Sequence, residues 1–139
     1  MRLILLLSIV LSVSAYSGGP PPPKDGPQPS GWALTYLRNQ LHALEGAIKT
    51  NNRQLFMKLF KVSDPNDDDA LDYQMRRFSG YDLKTSYAFF DGTSRIEGTF
   101  FNGKNNHYTT WHNIVIEKDS NSPTGWQIVK VARMVYNKF

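Results

Sequence analysis

The hydrophobic period of this chain changes once, and that change limits the fold more than any other feature. Between Leu34 and Ile48 the large apolar residues recur three or four apart, at Leu34, Leu37, Leu41, Leu44 and Ile48. That is the spacing of one buried helix face. From Asp82 the period is two, with Leu83, Thr85, Tyr87 and Phe89 alternating against Lys84, Ser86 and Ala88. Such alternation is the mark of a strand with one buried side. A chain that places its helices first and its strands afterwards gathers the helices on one face of an antiparallel sheet, which is an α+β fold.

Local signals divide the two halves. Asn51-Asn52 ends the first helix, and Asn51 predicts the cap of a second, with Gln54 as its capping-box partner. Leu55, Phe56, Leu59 and Phe60 form the stripe of that second helix. Residues 64–72 carry Asp64, Asp67, Asp68, Asp69 and Asp72 and no base. A calcium loop would need Gly where Asp69 stands and Glu where Met75 stands. A third helix fits better, capped near Asn66 or Asp67, with acids at its positive end and Arg76 and Arg77 at its negative end. Asp91-Gly92 and Asn102-Gly103 predict tight hairpins around a strand over 94–101. A long strand over 108–118, a turn over 121–125 and a last strand over 126–136 complete a four-strand meander that buries its concave face on the first helix.

The N-terminus predicts export. Arg2, the apolar run Leu3–Val13 and the exit at Ala15 have the grammar of a secretory signal. The run falls short of the about 20 residues that span a bilayer, so no membrane span is expected in the mature form. Residues 16–30 hold six of the eight prolines and read as an extended, semi-rigid linker. The expected organisation is a signal peptide over 1–15, a linker over 16–30 and one folded domain over 31–139. The chain has no cysteine, which removes disulfides, thiol chemistry and Cys-based zinc sites. A secreted domain of this kind must rely on a continuous core, and the 3 Trp, 7 Tyr and 8 Phe supply one.

Three helices followed by a curved antiparallel sheet resemble the nuclear transport factor 2-like cone, also called cystatin-like. The stretch Lys118-Asp119-Ser120-Asn121-Ser122-Pro123-Thr124-Gly125-Trp126-Gln127-Ile128-Val129 is similar to small secreted nematode proteins of that superfamily. The signal sequence and the Leu-rich helix before Leu55-Phe56 agree with it. The resemblance covers about residues 31–139. The chain departs from the group in lacking a cysteine that its members often carry. True cystatins inhibit through a Gln-x-Val-x-Gly hairpin, whereas here Gln127-Ile128-Val129-Lys130-Val131 puts Val in place of Gly and lies within the last strand. The resemblance therefore does not imply protease inhibition.

Enzymes of the cone type hold a His–Asp or Tyr–Asp pair inside the cup. Here Tyr108, Thr110, His112, Ile114 and Ile116 share one face of the long strand by parity, and no carboxylate shares it. The histidines His42, His107 and His112 lack metal-ligand spacing, so neither metal nor cofactor is expected. The net charge of +4 is dispersed among basic and acidic segments, which does not suit nucleic acid. The expectation is a secreted, non-enzymatic binding module. It would take a small apolar ligand in a pocket lined by Tyr87, Tyr108, Thr110, His112 and Ile114, or a protein partner on the open sheet. The resemblance adds the possibility of a homodimer. The alternative is a lyase or isomerase with His112 as base.

Overall fold

The structure, a computed structural model, describes residues 30–104 and 107–134, with backbone alone for Ser30 and for 107–109. The expected signal peptide and nearly all of the expected linker lie outside the described residues. Three helices, α1 (Ser30–Lys49), α2 (Arg53–Leu59) and α3 (Asp68–Phe78), precede four strands, β1 (Asp82–Asp91), β2 (Arg95–Lys104), β3 (His107–Lys118) and β4 (Trp126–Arg133). The strands pair antiparallel in the order β1-β2-β3-β4. The α+β class and the meander are as the periodicity predicts.

Helix α1 lies along the inner face of β1 and β2. Ala33, Tyr36, Leu37, Leu41, Leu44 and Ala47 are buried, as are Phe100, Ile114, Ile116 and Ile128 beneath the helices. Gly98 lets α1 approach: a β-carbon there would stand 2.8 Å from Leu37 Cδ2 and 2.5 Å from the Tyr87 carbonyl oxygen. At the far end of α1 the Glu45 carboxylate accepts from the Leu83 amide at 2.7 Å, and at the near end the Tyr36 and Phe90 rings meet edge to face at 6.3 Å. The helix therefore runs from the Phe90 end of β1 to its Leu83 end.

Gln40 sits fully buried in the middle of the apolar stripe. Its amide donates to the Leu59 carbonyl at 2.9 Å and to the Trp126 carbonyl at 3.0 Å, and its oxygen accepts from Thr124 Oγ1. One side chain thus ties α1 to the end of α2 and to the start of β4. The Lys61 amide adds a bond to the Ile128 carbonyl at 2.8 Å.

Several boundaries differ from expectation. The second helix is capped by Asn52, which accepts from the Leu55 amide; Asn51 instead takes the left-handed φ of 50° that ends α1. Asp67 caps α3, accepting from the amides of Asp69 and Ala70. Asn102-Gly103 is not a hairpin but part of β2, which continues to Lys104. There Gly103 pairs with Tyr108 beside a bulge at Thr109, so an Asn-Gly turn signal is overridden by cross-strand pairing. The final strand ends at Arg133.

Candidate functional site

Strand parity and three bulges, one in each ladder, decide what faces the helices. On the inner face of the β2–β3 ladder, Ile96 pairs with Ile116, Gly98 with Ile114, Phe100 with His112 and Asn102 with Thr110. The apolar part of this face is filled, since Ile114, Ile116 and Phe100 are buried within the core. Toward the Asn102–Thr110 end it becomes polar. His112 is 5% exposed, and its ring stacks on Phe100 with centroids 4.9 Å apart. Phe100 in turn meets Phe78 of α3 at 6.3 Å.

This polar end lacks partners. Neither Nδ1 nor Nε2 of His112 has a hydrogen bond among the described residues, and the same holds for Asn102 Oδ1 and Gln74 Oε1. Gln74 lies one turn before Phe78 on α3, hence on the same helix face. Unsatisfied buried polar atoms are uncommon in folded proteins and call for an explanation. Arg133 pairs with His112 across the β3–β4 ladder, and Arg77 precedes Phe78 with its guanidinium 5.2 Å from that ring's centre. Burial first, then the charges of Arg77 and Arg133, hold His112 below its ordinary pKa. The imidazole is therefore neutral at physiological pH, with one nitrogen a donor and the other an acceptor.

The ion pairs among the described residues use Arg53, with Asp68 and Asp72, and Arg95, with Asp91, Glu97 and Glu117. Arg77 and Arg133 have none there. No carboxylate reaches His112 among the described residues, and no group of three or more metal-ligating side chains forms there. The Thr110 end of the inner face thus brings the half-buried Arg77 and the exposed Arg133 near a buried histidine.

The expected pocket residues are only partly brought together. His112 and Ile114 share the inner face, where the Ile114 side chain is packed into the core; the same residue also borders, with Tyr87, a groove on the other face of the sheet. Thr110 is half-buried opposite Asn102. The side chain of Tyr108 lies outside the described residues. Tyr87 is on the opposite face, as is Phe89, with exposures of 51% and 44%. The reason is a bulge: Thr85 pairs with Phe100 but Tyr87 pairs with Thr99, so Ser86 is an extra residue and the parity of β1 reverses there. Beyond it Ala88 and Phe90 face the helices.

Sequence reasoning missed Asn102, Arg77 and Arg133. Asn102 was hidden by its Asn-Gly turn signature, and the two arginines sit at element ends, Arg77 half-buried and Arg133 exposed, with no local signal linking them to His112. On the uncovered face, Tyr87 and Phe89 stand with ring planes 7° from parallel. They border a groove of about 260 Å³ that Glu97, Asn113, Val115 and Lys130 also line.

No family model, curated protein or solved structure matches this chain.

Proposed function

We propose that this chain is a binding module that takes a small organic anion at the polar end of its cup. The observation that carries this reading is His112, buried with both ring nitrogens unpartnered among the described residues and flanked by Arg77 and Arg133. A carboxylate head would accept from the two guanidinium groups and from the imidazole N–H, the charge-assisted bonds that arginine makes best. Asn102 and the second imidazole nitrogen would serve a further polar group. The filled inner face moves the ligand from the depth of the cup, where an apolar molecule was expected, to its end. A histidine without a carboxylate partner among the described residues favours binding over proton transfer.

The order of three helices and a meander supports membership of the nuclear transport factor 2-like cones. The leader grammar of Arg2, Leu3–Val13 and Ala15 supports secretion.

Titration of the isotope-labelled protein by NMR, with sodium hexanoate and with 1-hexanol, tests the reading. Hexanoate should shift the Asn102, Thr110 and His112 amides saturably and raise the His112 pKa, because a bound anion favours imidazolium. Hexanol should not. Arg77→Ala should weaken hexanoate binding about tenfold, which corresponds to about 1.4 kcal/mol. Equal responses to the acid and the alcohol, or no saturable shift with either, would overturn it.

A further inference from the structure

The uncovered face of the sheet has a regular order. One row across it is Tyr87–Thr99–Asn113–Ala132, and the next is Phe89–Glu97–Val115–Lys130. Tyr87 and Phe89 form one wall of the groove, with Val115, 7% exposed, among its lining. Asn113 and Lys130 place hydrogen-bond donors on the other side, and Glu97 stands between. Exposed parallel aromatic rings with donors opposite are what an extended proline-rich segment needs. Its rings pack against exposed aromatic side chains such as the Tyr87 and Phe89 pair, whose own centroids are 6.2 Å apart, and its carbonyls, which have no internal partners in the polyproline II conformation, require donors.

A proline-rich segment joins the helix at the edge of the sheet that carries these rings. Residues 20–29 read Pro-Pro-Pro-Pro-Lys-Asp-Gly-Pro-Gln-Pro and join α1 at Ser30. Tyr36 packs on Phe90, so the start of α1 lies at the end of β1 that carries Phe89. Strand β1 is an edge of the sheet, and the chain can pass round it to the other face. Ten residues in polyproline II reach about 31 Å, against about 14 Å across four strands. Charge agrees as well: Asp25 follows the prolines in the segment, and the groove offers the exposed Lys130, whereas Glu97 in the same row is already held by Arg95 at 3.1 Å.

We propose that the segment Pro20–Pro29 folds back across the edge of β1 and occupies the groove between Tyr87, Phe89 and Lys130 on the open sheet face. Prolines 20–23 lie against the two rings, and Asp25 is directed to Lys130. The spacer is then an intramolecular cover for an aromatic face. This contact is independent of the cup and its anion.

The absence of cysteine makes the test direct. In the full chain, Gly19→Cys gives a single attachment point for a nitroxide spin label, and amide broadening reports proximity. The amides of Asn113, Val115 and Lys130 should lose at least half their intensity, while those of α3 keep theirs. Replacing Tyr87 and Phe89 together by serine should abolish the loss. Both side chains are exposed, so the dispersed spectrum that certifies the fold should persist. A second variant, serine at positions 20–23 with the same length and label, should abolish it on an unaltered groove. Broadening spread evenly over exposed amides, or unchanged in both variants, overturns the proposal. So does broadening that transfers in full to an unlabelled chain mixed with a labelled one, since the occupant would then belong to a second copy.

Discussion

The imidazole of His112 lies on the ring of Phe100, its plane 17° from parallel, at the one register position where β2 and β3 place two rings opposite each other on the inner face. Stacking fixes the ring by its face and leaves both nitrogens at its edges, where the described residues offer no partner. This geometry gives a favourable packing contact and an unfavourable polar one on the same side chain.

His112→Phe separates the two. The phenyl ring retains the stack and removes the unpaired nitrogens, so stability at pH 7.5 should be equal or higher, by up to about 1 kcal/mol. The pH dependence should change too. Because the folded pKa of His112 is depressed, the unfolded chain takes up the proton first as pH falls. Stability is then full above the unfolded value of about 6.5 and declines as pH drops through the folded value. The variant should lack that decline, which urea denaturation at pH 7.5 and pH 5 measures. A variant destabilised by more than about 1 kcal/mol at pH 7.5 would show that the nitrogens are satisfied in the free protein. Hexanoate binding should be lost in either case.

Gln40→Leu should cost about 2–3 kcal/mol. The substitution keeps the bulk and apolar character of the stripe but strips a donor from the Leu59 and Trp126 carbonyls and the acceptor from Thr124, and stranded buried groups carry the full desolvation penalty. A loss under 0.5 kcal/mol in chemical denaturation would mean that water replaces the amide.

Gly98→Ala should destabilise by about 1–3 kcal/mol, the range for forcing volume into a packed core. Adding Leu37→Ala should not restore stability. It removes the Leu37 Cδ2 contact, but the closer one, at 2.5 Å, is to the backbone oxygen of Tyr87 and cannot move aside. Full recovery in the double variant would show that the helix alone sets the limit.

Processing is tested at the terminus. Material recovered from a secreting host should begin near Tyr16. Intact Met1 on exported protein would refute the leader reading, and would also leave Pro20–Pro29 preceded by an apolar segment.

The sequence by itself determined the α+β class, the order of elements, a helix cap at Asn66 or Asp67 and the inward face of β3 around His112. These rest on local periodicity and on side chains that bond to their own backbone. Only tertiary structure decided which face Tyr87 presents and that Asn102-Gly103 continues a strand, because each follows from a bulge at Ser86 or Thr109 that pairing with β2 or β3 imposes. One inserted residue reverses a period-two pattern without altering its composition. The corner of Arg77, Asn102, His112 and Arg133 draws on one helix and three strands. No spacing along the chain could bring those four together, since their proximity comes from packing α3 on the sheet and from strand register.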